Sequence, residues 1–231
     1  MQSKKKSNYF HFNELINSED CNFFEYRGWN GLSIVKLDIL KGKTLSDSFI
    51  NSHYTDLIEK EKIFVVTKGN LEIKSEKKKV LLKEYDAVNF VSKSQKYQMH
   101  CLEDTTIFMI SAKDLKNSVG EPVFFNFKKD IEAKNLWGGQ IISRPYEGRG
   151  LTLVLFDLKN GFKFNDKGHD NEQITWLISG KMDFYADGNY KTLKKDVGVD
   201  IGPNHEHGGV SGGAIGFDAF FPKRQEVKYK N

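Results

Sequence analysis

The sequence predicts an all-β protein built from two consecutive β-domains, and three observations carry the prediction. Short runs rich in β-branched and aromatic residues recur about every eight to twelve positions, broken by Gly, Asn, Asp and Lys turns. Long helical periodicity is absent. The third observation is a repeat: Ile63-Phe64-Val65-Val66-Thr67-Lys68-Gly69-Asn70-Leu71-Glu72-Ile73 lies over Ile174-Thr175-Trp176-Leu177-Ile178-Ser179-Gly180-Lys181-Met182-Asp183-Phe184. Many short strands with regular turns mean a sandwich or a barrel. A repeat of about 110 residues, each copy a complete set of strands, means two of them.

Taken in order, residues 1–20 are basic and polar, then helix-compatible over Phe10–Ile16, and they read as an N-terminal arm. The first copy covers residues 21–119. Its strand Val35-Lys36-Leu37-Asp38 ends in a turn at Gly42, and about eight extra residues around Thr44–Ile50 predict a long loop. Ile63–Ile73, Val80–Asp86 and Thr106–Ile110 supply its other strands. The seam falls near Asn117–Pro122, and the second copy covers residues 120–231. Its strands are Val154–Asp157 with a turn at Gly161, Ile174–Phe184, Tyr190–Asp196 and Ile215–Phe220. All four prolines and fifteen of the twenty glycines lie after residue 120, so the second copy has the more demanding loops.

Composition narrows the classes of function. Of 231 residues, 39% are hydrophobic and 13% aromatic, ample material for a core and unlike a disordered chain. The formal net charge of +4 arises from Lys spread among Asp and Glu, whereas a nucleic-acid footprint clusters its cations. No apolar run approaches the ~20 residues of a membrane span. The start, Met1-Gln2-Ser3-Lys4-Lys5-Lys6, has no apolar segment behind it, so a cytoplasmic location is expected. Cys21 and Cys101 make no disulfide framework and lack metal-ligand spacing.

The chemistry gathers in the second copy. Lys167-Gly168-His169-Asp170-Asn171-Glu172-Gln173 precedes one strand, and Gly202-Pro203-Asn204-His205-Glu206-His207-Gly208-Gly209 precedes another. A divalent metal needs convergent N or O donors, with imidazole the commonest. His169 and Gln173 are four apart, so on an extended strand they share a face, and His207 arrives from a distant strand. Three ligands from two strands leave positions open for substrate or water.

These residues resemble the cupin superfamily of small jelly-roll barrels, here as a tandem pair. The family's first motif, G-x5-H-x-H-x3-4-E-x6-G, counted back from Gly180, puts Gln173 in the glutamate slot, His169 in the second histidine slot and Lys167 in the first. Pro203–Gly209 resembles the second motif, with His207 as the remaining ligand. The resemblance therefore implies one divalent transition metal (Fe, Mn, Ni or Zn) in the C-terminal barrel, on His169, Gln173 and His207. Lys167 departs from the pattern because an ammonium has no lone pair. Glu172, Asp166 or His205 stand in reserve as a fourth ligand, or Lys167 itself holds an anion. In the first copy Lys62, Ile58 and Tyr97 occupy the ligand slots, and no metal is expected there.

The resemblance implies a metal-dependent enzyme on a small carboxylated or carbohydrate-like molecule, with isomerase or lyase chemistry. Glu172, His205 and Tyr185 are its candidate bases, and Lys167 and Arg144 its candidate anion contacts. Two alternatives stand beside it: a non-catalytic small-molecule binder with a degenerate metal site, and an Fe-dependent dioxygenase. Neither a nucleic acid nor a membrane is expected as partner, and sheet edges offer a route to a homodimer.

Overall fold

The structure is a computed structural model that describes residues 6–12, 16–17, 21–29, 31–53, 61–75, 78–91, 96–112 and 120–224. Most of the described residues are in strands: β1 (Asn8–His11), β2 (Ile16–Asn17), β3 (Cys21–Arg27), β4 (Ser33–Ile39), β5 (Thr44–Ser46), a short helix α1 (Asp47–His53), β6 (Glu61–Lys68), β7 (Leu71–Ser75), β8 (Lys79–Leu82), β9 (Asp86–Phe90), β10 (Tyr97–Cys101), β11 (Thr105–Ala112) and β12 (Val123–Asn126). The second half continues with β13 (Lys134–Leu136), β14 (Ile141–Glu147), β15 (Thr152–Leu158), β16 (Lys163–Asp166), β17 (Glu172–Ala186), β18 (Asn189–Lys194), β19 (Val197–Ile201) and β20 (His207–Phe221). The expected long loop is where β5 and α1 lie. Among the described residues no helix is long and apolar enough to cross a membrane.

Two compact units result, as the repeat requires, but their membership differs from the linear division. One unit holds residues 14–27 and 33–130; the other holds residues 1–13, 28–32 and 131–231. The first ends at Asp130 because β12 pairs with β9, Val123 opposite Asn89. In the second, β1 pairs with β19, Asn8 opposite Asp200. Residues 8–11 are thus a strand of the C-terminal unit, and the helix-compatible arm is not what forms. Phe12 ends that strand at 1% exposure, edge-on to Phe10 with ring centroids 5.0 Å apart. Phe12→Ala should therefore cost about 3–5 kcal/mol. In urea denaturation, a shift worth less than about 0.5 kcal/mol would mean Phe12 lies outside the core.

Both units follow one plan. In the C-terminal unit the long strands β17 and β20 bend across two layers. Glu172–Trp176 pairs with β20, and Gln173–Trp176 also with β19; beyond register shifts at Leu177/Ser179 and Gly180/Met182, Lys181–Ala186 pairs with β18. The bend needs glycine: Gly180 has φ +75°, and a Cβ there would meet the Gly213 carbonyl oxygen. In the N-terminal unit the same path is broken into β6 plus β7 and β10 plus β11, giving sheets of order β12-β9-β6-β11-β4-β3-β2 and β5-β10-β7-β8. Alternation along each strand sends one set of side chains between the layers. The N-terminal unit fills that space with Phe64, Phe90, Tyr97, Met99 and Met109. The C-terminal unit leaves part of it open.

Candidate metal centre and cavity

Between its layers the C-terminal unit forms an open-mouthed cavity of about 440 Å³. At one end stand His169, Gln173, His207 and Asp166. Each is placed by strand geometry. Gln173 faces inward from β17 beside Thr175, and His207 opens β20 opposite Ala186. β16 alternates, sending Phe164 and Asp166 inward between the more exposed Lys163 and Asn165.

Ligand atoms of Asp166, His169 and His207 lie within 4.8 Å of one another, close enough that the three could hold one metal ion. His169 Nε2 is 2.9 Å from Gln173 Oε1. The amide oxygen can only accept, so this contact puts the ring proton on Nε2 and the lone pair of His169 on Nδ1. His169 Nδ1 is buried without a hydrogen-bond partner. His207 Nδ1 is 2.9 Å from the His205 carbonyl, which makes it the protonated nitrogen and leaves Nε2 free to coordinate.

Protonation favours the same use. Burial, assisted by the nearby Arg224 charge, pushes the His169 imidazole down to about 4. Burial also lowers His207. Both rings are neutral at pH 7, with a lone pair each. Burial would raise the Asp166 carboxyl, but the Gly168 amide and the facing His207, His169 and Arg224 outweigh it and hold it low. Gln173 is oriented from behind. Its Nε2 donates to Thr175 Oγ1 (2.8 Å) and Asp218 Oδ1 (3.1 Å), and Thr175 Oγ1 donates to the same Asp218 oxygen (2.6 Å). With its amino group committed there, the amide turns its carbonyl oxygen toward His169. Burial pushes the Asp218 carboxyl up to about 6, against those two hydrogen bonds.

The lowered His169 has a consequence for stability in metal-stripped protein. Between pH 6.5 and about 4 the unfolded chain takes up a proton that the folded chain refuses. Stability is therefore full above pH 6.5 and falls as pH drops through that window. From pH 7 to 5 the loss from this group is about 2 kcal/mol. Asp218 works oppositely, because its folded form keeps a proton up to about pH 6. Comparison with His169→Gln isolates the histidine: the wild type should lose about 2 kcal/mol more than the variant in denaturant titrations at the two pH values. Equal losses would contradict a buried neutral His169.

The other candidates lie elsewhere. Glu172 is fully buried on the opposite face of β17 from Gln173, its Oε2 accepting from the Leu32 amide at 3.3 Å. His205 places Nδ1 2.7 Å from Asp187 Oδ2 and packs edge-on to Trp29. Tyr185 donates its hydroxyl to Asn165 Oδ1 at 2.6 Å, outside the cavity lining. None of these three expected bases faces the metal cluster, because strand alternation or the 203–206 turn carries each away. Lys167 stands at the mouth, but its Nζ turns outward to Glu206 at 2.6 Å, with 78% of the side chain exposed. Asp166, its neighbour, is the one that lies with His169 and His207. Arg144 follows Ser143 on β14; Ser143 lines the cavity and Arg144 does not.

Sequence reasoning missed Asp218, Thr175 and Arg224. Asp218 had a signal, being the one charged residue within His207–Phe221. Arg224 had none.

At the equivalent registers the N-terminal unit is apolar. Phe64 opposite Met109 replaces Thr175 opposite Asp218, and Tyr97 opposite Ser75 replaces His207 opposite Ala186. Tyr97 stacks on Phe90 with centroids 4.4 Å apart. Lys62 is buried, and Ile58 lies outside the described residues.

No family model and no curated protein matches the chain. Solved structures do. Protein YlbA from E. coli superposes with a TM-score of 0.74 at 15% identity, covering 96% of this chain and 93% of that one. A cupin 2 conserved barrel domain protein from Leptotrichia buccalis gives 0.65 at 15%, covering 96% and 99%. Oxalate decarboxylase from Bacillus subtilis, studied for its Mn(II) centres, gives 0.69 at 9%, covering 95% and 78%.

Proposed function

We propose, from the premise that this chain is a cupin by fold, with two jelly-roll units in tandem, that it is a metal-dependent enzyme whose single working site is the C-terminal cavity. Its substrate is a small molecule and its chemistry a proton shift of the isomerase or lyase kind. One observation carries the reading: two neutral imidazoles, a carboxylate and an oriented amide oxygen converge at one end of a cavity.

The donor set of nitrogen and oxygen fits a first-row divalent ion such as Fe, Mn, Ni or Zn. His169, His207, Asp166 and Gln173 would hold it. When bound, such an ion supplies Lewis-acid polarisation of a carbonyl or enediolate oxygen. The chain's own groups do the rest. Asp218 lines the cavity and exchanges its proton near pH 6, close to the working range of a general acid or base. Thr175 and Gln173 hold its carboxylate in place.

Metal analysis tests this. Protein stripped with chelator and then offered Mn, Fe, Ni or Zn should retain about one ion per chain after dialysis. Retention of none would favour a non-catalytic binder.

A further inference from the structure

Of the positive groups in the cavity lining, Arg224 alone is not spent toward solvent. Lys167 is bonded to Glu206 outside. Among the described residues no side chain accepts a hydrogen bond from the Arg224 guanidinium. Its nearest carboxylate oxygen among the described residues, Asp166 Oδ2, is 3.6 Å away, and its Cζ lies over the Phe220 ring, 4.8 Å from the centroid. The backbone beneath is pinned, with the Arg224 amide donating to Thr152 Oγ1 at 3.0 Å. A guanidinium with open donors, 17% exposed and held over an aromatic ring, is an anchor for a planar anion.

β15 then sets what lies beyond it. Thr152 sits beside Arg224, and Val154, Phe156 and Leu158 follow along the inner face at about 6.6 Å intervals. Ile141 pairs with Leu158 at the far end. The cavity is thus polar at one end, where the Arg224 guanidinium stands with Asp166 and Asp218, and aliphatic and aromatic at the other. A hydroxyl-rich sugar would press its oxygens against that wall without partners, at about 1–3 kcal/mol each.

We propose that the cavity takes a small monocarboxylate with an apolar tail, its carboxylate on the Arg224 guanidinium and its tail along Val154, Phe156 and Leu158. This narrows the substrate class of the site proposed above and rests on that reading of the cavity as the ligand site.

The test uses three probes on the full chain, with and without added Mn: 3-phenylpropanoate, its neutral isostere 3-phenylpropanamide, and gluconate. Calorimetry and the fluorescence of Trp137, which lines the cavity, read binding, and metal content is measured on the same samples. The acid should bind at least ten-fold tighter than the amide or gluconate. Arg224→Met should cost the acid roughly 10–100-fold and the amide nothing, while Arg224→Lys recovers part of the loss. Phe156→Asn should weaken acid and amide together. An unchanged melting temperature shows that each variant folds. Equal affinity for acid and amide, gluconate binding as well as the acid, indifference to Arg224→Met, or no binding by any probe would overturn the proposal. Acid binding that depends on Arg224 in protein that retains no metal would leave this inference standing and remove the metal centre.

Discussion

His207→Ala is expected to leave the purified protein without bound metal under conditions in which the wild type retains one ion per chain. The ring is 3% exposed, its Nδ1 is committed to the His205 carbonyl, and its Nε2 has the cluster to face. Removing an outer partner of a ligand costs 10–100-fold in metal affinity, so removing the ligand itself should cost more than about 100-fold. His100→Ala is the control. That ring sits in the N-terminal unit, its Nδ1 2.9 Å from Thr44 Oγ1, and its loss should change neither metal content nor melting temperature beyond a degree or so. A His207→Ala protein that keeps its metal would remove the proposed centre.

Gly180→Ala is expected to be among the most damaging small substitutions in the chain, costing at least about 3 kcal/mol. Two effects add. At φ +75° any side chain pays about 1–2 kcal/mol. The new Cβ would also fall on the backbone carbonyl of Gly213, which cannot swing aside as a flexible side chain would. The matched control is Gly188→Ala. Gly188 follows Asp187 in the turn between β17 and β18 and has φ +77°, but a Cβ there would meet nothing within 4 Å. It carries only the backbone strain, about 1–2 kcal/mol. Equal denaturation midpoints for the two variants would show that the β17 bend does not depend on this close approach.

Much of the fold was legible because it is written twice. The strand–glycine–strand passages through Gly69 and Gly180 align in sequence and bend alike in space, both at positive φ. The edge strand was not legible, although it too is repeated. Phe12 and Phe127 each donate an amide to the residue before a paired strand, Asp196 and Tyr85, and both acceptors have positive φ. Asn8-Tyr9-Phe10-His11-Phe12 and Val123-Phe124-Phe125-Asn126-Phe127 share little beyond their aromatics. Each run is too short to show a period of two.

At the site, the motif count placed His169, Gln173 and His207, and the structure brings them together. The same count put Lys167 where the neighbouring Asp166 faces inward, because the turn at Gly168, with φ +106°, breaks the alternation on which counting relies.

By itself the sequence determined that the chain is all-β, that it is doubled, and that its second copy carries His169, Gln173 and His207 in one motif. These are properties of local pattern: period-two alternation, turn residues and spacing within a motif. Only the tertiary structure decided that residues 8–12 complete the C-terminal unit, that Glu172 and His205 turn away from the cavity, and that Asp218 and Arg224 enter it. Those outcomes depend on which strands lie side by side. Phe10 meets Gly198, and Thr152 meets Phe220, across strands far apart in sequence. No short-range pattern encodes such neighbours, because the free energy that selects them comes from burying both partners at once.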